Sequence, residues 1–296
     1  MDFYSPFSPI YRDKQVRLDK NSAKLKIEIC GTLKGLEMIM AEKTPRKVLI
    51  TGASRGIGRA CALAFARQGD RLYLAARNTE KLAEVAAESL QAGAADVQCI
   101  PADLADEGAR KACADTTGPL DILVNNAGAI RGGGLFDISM DDWRESWELK
   151  VFGYLHMCQL YGALMKQQKS GIIVNIIGLA GRDLRPDYIC GSAGNAALIA
   201  FTQALGAELQ KDNIRVFGIN PSATETDRVK SLYRQRAESR FGDPDRWEEM
   251  LDTNSLPFGR LKRPEEVASL AALCCSDSVQ YLSGTVIDMD GGARWM

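Results

Sequence analysis

From Lys47 onward, short apolar runs alternate with longer stretches in which apolar positions recur every three or four residues. This alternation predicts strands separated by amphipathic helices, the βαβ arrangement of a parallel sheet covered on both faces. Strands are predicted over Val48–Ile50, Arg71–Ala76, Val97–Ile100, Asp121–Val124, Gly171–Ile177, Ile214–Ile219 and Thr285–Met289. Helices are predicted over Gly58–Gln68, Met140–Lys169, Ala193–Gln210 and Pro264–Ser276. A further helix starts at Thr79, its capping residue, and carries Leu82, Val85 and Leu90 on one face. Ser139 or Asp141 caps the Met140 helix. No internal repeat or interdomain linker interrupts the pattern, so residues 47–296 read as one doubly wound α/β domain with a parallel seven-stranded sheet. An insertion over Thr224–Leu256, helical in pattern, follows the sixth strand.

Residues 1–46 do not share that pattern. Through Lys47 this stretch carries ten Lys/Arg against six Asp/Glu, with no continuous apolar segment of the kind a secretory signal needs. It reads as a disordered extension, or as sequence upstream of a working start near Met38 or Met40.

Composition narrows the chemistry. The chain has 296 residues, 46% hydrophobic and 25% charged, which excludes an intrinsically disordered or collagen-like protein. With 37 Lys/Arg against 38 Asp/Glu it lacks the cationic excess of a nucleic-acid binder. No apolar run approaches the ~20 residues of a membrane span. Cys30, Cys61, Cys99, Cys113, Cys158, Cys190, Cys274 and Cys275 show no C-x-x-C spacing and lie mostly in apolar stretches. They read as free thiols in a reducing, cytoplasmic setting. His156 is the sole histidine, and no acidic ligand cluster accompanies it, so no metal site is expected. Its apolar helical setting favours a structural role.

The first strand runs into Thr51-Gly52-Ala53-Ser54-Arg55-Gly56-Ile57-Gly58 and then into a helix. Glycines there permit a tight turn and a close approach to a pyrophosphate, while the helix N-terminus offers free N–H groups. This segment resembles the T-G-x-x-x-G-x-G fingerprint of the short-chain dehydrogenase/reductase family. Asn125-Asn126-Ala127-Gly128 is similar to that family's N-N-A-G motif, and Asp103-Leu104, Pro221-Ser222 and Asp290-Gly291-Gly292 fall where its other markers would. The resemblance spans Lys47 to Ala293. It implies a Rossmann fold, a nicotinamide dinucleotide and hydride transfer.

The family pattern assigns cofactor contacts to Gly52, Ser54, Arg55, Gly56, Ile57, Gly58, Asp103, Leu104, Asn126, Ala127, Gly128, Pro221, Thr224 and Thr226. By resemblance, Asp103 serves the adenine side, Asn126 the ribose and Thr226 the nicotinamide amide. The second strand ends Leu74-Ala75-Ala76-Arg77, with no acid to bind a free 2′-hydroxyl. Arg77 and Arg55 together would clamp a 2′-phosphate, so NADP(H) is expected over NAD(H). The alternative leaves Arg77 as a solvated strand end.

The family's catalytic asparagine, serine, tyrosine and lysine are expected at Lys150, Gly178, Gly191 and Asn195. All four differ. Lys150 and Asn195 look reciprocal, which raises two readings: an exchange that still supplies a cation, or a coincidence in which Lys150 reaches for solvent. Tyr188, one turn before the vacant tyrosine position, is the leading general acid/base; it shares a face with Ser192 and Asn195 if the helix starts early. Otherwise Tyr188 merely packs in a loop. Gly178 and Gly191 are expected to leave room for a bulky substrate group.

Arg228, Lys230, Arg234, Arg236 and Arg240 of the insertion, with Arg182 and Arg185, point to an anionic substrate such as an acyl-CoA or carboxylic acid. The competing explanation is a solvated helix face balanced by Asp227, Glu238 and Asp243. In this family such an insertion covers the substrate as a lid. The family also associates through its long helices, so Tyr154, Leu155, Met157, Tyr161 and Leu164 are expected to support a homodimer or homotetramer. Three functions remain open: an oxidoreductase acting on a carbonyl/alcohol pair, a dinucleotide-binding regulator that has lost hydride transfer, and a reaction on an activated double bond.

Overall fold

The computed structural model describes residues 44–251 and 256–295. The extension expected over residues 1–46, and Cys30 within it, lie outside them up to residue 43.

Seven parallel strands form one sheet: β1 (Lys47–Thr51), β2 (Arg71–Ala76), β3 (Asp96–Pro101), β4 (Ile122–Asn125), β5 (Gly171–Ile176), β6 (Ile214–Pro221) and β7 (Thr285–Met289). Their order is β3-β2-β1-β4-β5-β6-β7. The chain therefore reverses direction across the sheet between β1 and β4, and a crevice opens at the carboxyl ends of those strands.

Alternation along β1 explains the two layers. Val48 and Ile50 face one side, where α1 (Gly56–Ala66) and α8 (Pro264–Cys274) bring Cys61, Phe65, Val267 and Ala271. Leu49 faces the other, with Leu123 and Ile173, beneath α3 (Glu107–Thr117) and α5 (Gly153–Gln168). Each such fully buried Leu, Ile or Phe contributes roughly 1.5–3 kcal/mol. Because both faces are covered, the central strands are continuous apolar runs, broken only near their ends by Lys47, Thr51, Asn125 and Asn175, and show no alternation in sequence.

The expected strands are all present, with ends shifted by one or two residues. Helix details differ more. The α2 helix (Thr79–Gln91) is capped by Asn78, whose Oδ1 accepts the Lys81 N–H at 2.7 Å, rather than by Thr79. Its buried face is Leu82, Val85 and Ser89; Leu90 is 52% exposed. The α3 helix, capped by Asp106, was not apparent in the apolar pattern, because its buried residues are Arg110, Cys113 and Thr117. The long helix is α4 (Met140–Trp147), a π-helical turn over Glu148–Phe152, and α5. Ser139 and Asp142 form its capping box. The next helix, α6 (Ile189–Leu209), begins four residues earlier than expected, directly after Tyr188.

Tyr154, Met157 and Tyr161 do not form an outer association surface. With Cys158 and Met165 they make the face of α5 that packs onto the sheet, and each is buried. Leu155 and Leu164 are half-buried, and Phe152 is exposed. The insertion folds as α7 (Asp227–Phe241) followed by a 3-10 segment over Pro244–Met250 that packs against it.

Candidate active site

Thr51 closes β1 and links two loops. Its Oγ1 accepts the N–H groups of Asn126 at 2.8 Å and Ala127 at 2.9 Å. The Asn126 amide returns two bonds, to Thr51 O at 2.9 Å and Gly52 O at 3.2 Å. Asn126 thus braces the glycine loop as well as lining the crevice. A Cβ on Gly52, which has φ +65°, would stand 2.9 Å from Ala127 Cα, and one on Gly58 would stand 2.1 Å from Gly52 O. Only glycine permits this close stacking of strand, turn and helix. At the start of α1, Arg55 occupies the cap position without a side-chain bond to the helix, so no capping side chain covers the first-turn N–H groups beside the crevice. The cradle fits a pyrophosphate.

The crevice has a volume of about 780 Å³. Every residue expected to contact a dinucleotide lines it except Gly58, which is packed beneath Gly52. Arg55 and Arg77 stand exposed at its edge, and Arg77 Nη1 lies 3.8 Å from Asp103 Oδ2. No carboxylate occupies the end of β2.

The three candidate catalytic residues, Lys150, Tyr188 and Asn195, line the same crevice. Lys150 does not reach for solvent: it is 7% exposed, and its Nζ donates to Tyr154 Oη at 2.8 Å and Ile176 O at 2.6 Å. Neither partner carries a charge. Burial, with the nearby Arg228 cation, pushes the amine down to about 7. The π-helical turn presents Lys150 to the crevice, and such turns recur at functional sites. Arg110, 3% exposed, ties that turn to the loop after β3 by bonding Glu148 Oε1 at 2.9 Å and Leu104 O at 2.8 Å. Its Nε donates to His156 Nδ1 at 3.0 Å, giving the sole histidine a structural role.

The vacancies expected at the two glycines are filled from within. A Cβ on Gly191 would fall 2.0 Å from Tyr188 Cε1, because the Tyr188 ring lies over that position. A Cβ on Gly178 would fall 2.9 Å from Asn195 Nδ2. The space therefore holds a phenol and a carboxamide, not a bulky substrate group. Asn195 Oδ1 is buried with no hydrogen-bond partner among the described residues. Ser192 is not part of the crevice lining, and its Oγ accepts from Arg185 N at 3.0 Å. Burial raises the Tyr188 phenol, while the Arg228 cation pulls it back.

A family model for the short-chain dehydrogenases matches residues 46–237, about two thirds of the sequence. The chain belongs to the short-chain dehydrogenases. It is 32% identical over 250 residues to the 7alpha-hydroxysteroid dehydrogenase of Escherichia coli (strain K12), covering 82% of this chain and 92% of that one. Among solved structures it is similar to L-sorbose reductase from Gluconobacter frateurii complexed with NADPH and L-sorbose, with a TM-score of 0.78 and 28% identity over 84% of this chain and 96% of that one. It is also similar to a 7 alpha-hydroxysteroid dehydrogenase complexed with NADH and 7-oxo glycochenodeoxycholic acid, at TM-score 0.74 and 29% identity over 83% and 93% of the two chains. These relatives are nicotinamide-dependent oxidoreductases. The Rossmann sheet and nucleotide cradle of this short-chain dehydrogenase agree with them.

Most of the cations expected to converge on a substrate are engaged elsewhere. Arg182 pairs with Asp288 at 3.2 Å, Lys230 with Glu225 at 3.1 Å and Arg234 with Asp245 at 3.7 Å; Arg240 lies against the Phe241 ring. The Arg236 side chain lies outside the described residues. Arg185 and Arg228 alone of that set line the crevice, and Arg185 there pairs with Asp183 at 2.9 Å. Arg228 is the site residue whose specific reach the sequence did not reveal: Nη2 donates to Ile130 O at 2.6 Å and Nη1 to Gly128 O at 3.4 Å. Nothing in the spacing of the insertion's arginines distinguishes it.

Among the described residues no group of histidine, cysteine and acidic side chains is arranged to hold a metal, and no helix is long and apolar enough to cross a membrane. Described cysteines are free; all are buried except Cys99, which is half-buried.

Proposed function

We propose that this short-chain dehydrogenase is an NADP(H)-dependent oxidoreductase that interconverts a carbonyl and an alcohol with an atypical set of acid–base groups. The observation that carries this reading is the Tyr188 ring lying over Gly191, the position where the family pattern expects its tyrosine. A phenol carried three residues upstream stands against the position where the resemblance expects one from the helix itself.

The glycine cradle and the α1 N-terminus would hold the pyrophosphate, with Ser54, Ile57, Leu104, Ala127, Pro221, Thr224 and Thr226 lining the remaining length of the crevice. Bound there, the nicotinamide supplies a hydride donor or acceptor. Arg55 and Arg77, with no acid at the end of β2, favour a 2′-phosphate over a free hydroxyl.

Tyr188 gives its hydroxyl proton to the carbonyl oxygen in reduction and takes it back in oxidation. Lys150, with its value near 7, exchanges a proton close to neutral pH and is the cation the family pattern expects at Asn195. Asn195 orients, its carboxamide standing against Gly178 in place of a serine. An anionic substrate rests on Arg185 and Arg228 alone. Association of two or four chains would use the outer side of α5 around Phe152, Leu155 and Leu164, in place of the buried residues first expected there.

The test is initial-rate oxidation of NADPH and of NADH against ketones, quinones and keto-acyl thioesters. The reading expects turnover on at least one carbonyl class and a preference for NADPH of about tenfold or more, the scale of one charge-assisted contact. Tight NADPH binding with no turnover on any class would replace it with a non-catalytic dinucleotide-binding role.

A further inference from the structure

Arg228 is the second residue of α7, which is N-capped by Thr226. The start of this helix is seated on the glycine loop: a Cβ on Gly56 would meet Thr226 Cγ2 at 3.2 Å. From there the Arg228 guanidinium crosses the crevice to the loop after β4 and donates to Ile130 O at 2.6 Å and Gly128 O at 3.4 Å. Tyr188 lines the same crevice, near enough for the Arg228 charge to lower its hydroxyl. Lys150 stands on the other side of Gly128, where a Cβ would meet Lys150 Cδ at 2.5 Å. One cation therefore docks the insertion and faces both proton-carrying side chains.

We propose that Arg228 is a positioning residue that couples docking of the insertion to proton transfer: clasping the Ile130 and Gly128 carbonyls places its positive charge against Tyr188 and Lys150 together. This rests on the functional reading above. The physics has one sign for both groups. A nearby cation favours the tyrosinate over the phenol and the neutral amine over the ammonium, so it pulls both groups toward the deprotonated form. Both effects have Arg228 among their causes. When α7 lifts away, Tyr188 and Lys150 each hold their proton more tightly. Acid–base competence is then restricted to the docked state, when water is excluded.

Other titratable groups face the same space. Asp183, Arg185 and Asp187 lie in the loop before α6, and Asp227 and Tyr233 on α7. Cys190 acts on Tyr188 from the first turn of α6 and raises it, opposite in sense to Arg228. Of these groups, Arg228 is the one placed to lower both.

The test reads ionisation directly, without cofactor or substrate. Tyrosinate absorbance is titrated in the native sequence and in Arg228→Gln, each against its Tyr188→Phe counterpart, so that the difference isolates Tyr188. Loss of the cation should raise the Tyr188 midpoint by about one pH unit or more, the usual scale for an adjacent opposite charge. Arg228→Lys, which keeps the charge, should restore most of the shift. In turnover, both limbs of the pH profile should move to higher pH in Arg228→Gln. An unchanged Tyr188 midpoint in Arg228→Gln would overturn the coupling, as would an Arg228→Lys midpoint equal to that of the glutamine variant. A shifted midpoint in a protein whose Tyr188→Phe variant turns over normally would leave the coupling standing and remove the functional reading instead.

Discussion

A lysine amine buried against a tyrosine hydroxyl and a backbone carbonyl is costly to keep charged, and Lys150 is in that position. Its value falls from an ordinary 10.5 to about 7 in the folded chain. Between those values the unfolded chain binds the proton and the folded chain does not, so stability rises with pH across that window. Below about 7 both states are protonated and the full penalty applies. Lys150→Met removes it, and Tyr154 Oη still donates to Ile176 O at 2.9 Å, so both remaining oxygens keep one hydrogen bond. The variant should be more stable than the native sequence at pH 6, on the order of 3–5 kcal/mol. That advantage should shrink toward zero by pH 10. Denaturant unfolding at both pH values checks this, and a constant difference would show that Lys150 is not held near neutrality. Turnover should be lost in the same variant. That Lys150, Tyr188 and Asn195 share one crevice was legible in the sequence from their places at or beside the positions the family resemblance marks. The full surroundings were not, since Ile176 O, which with Tyr154 one turn on receives the Lys150 amine, comes from β5.

At the level of elements, the glycine at 191 is what lets Tyr188 lie where it does. The turn before α6 ends in Tyr188 with φ −143° and ψ 39°, and the ring folds back over the first turn of the helix. Gly191→Ala would place a methyl group 2.0 Å from Cε1, so the ring must move. Alanine suits a helix interior, so the fold should be kept or slightly strengthened. Turnover should fall by about 100-fold, the scale of a misplaced catalytic group, with NADPH affinity unchanged. Full activity in Gly191→Ala would mean that the position of Tyr188 is immaterial. Strands were legible because covered parallel strands are continuous apolar runs, as Val48-Leu49-Ile50 is. The α3 helix was missed because Arg110 takes the place of an apolar anchor, its charge answered by carbonyls, Glu148 and His156. The early start of α6 was missed because Tyr188 offers no side-chain cap.

For the whole molecule, the sheet order sets the crevice between β1 and β4, and the chain brings to it one residue set from each half of the fold. The glycine loop, Arg77 and Asp103 come from β1 to β3; Lys150, Tyr188, Asn195 and Arg228 come from the half beyond β4. That the first set lines the crevice was almost wholly legible, because backbone turns and strand ends encoded locally put it there. The second was legible as a list of candidates but not as an arrangement, because the refilling of Gly178 and Gly191 and the reach of Arg228 depend on tertiary packing. The account as a whole depends on Tyr188 being the proton donor. The most direct measurement is single-turnover oxidation of bound NADPH by the native sequence and by Tyr188→Phe, with the best carbonyl substrate and with NADPH affinity measured alongside. The account predicts a rate at least ~100-fold lower in Tyr188→Phe with unchanged affinity, the usual contribution of a general acid. Equal rates in the two proteins would contradict it.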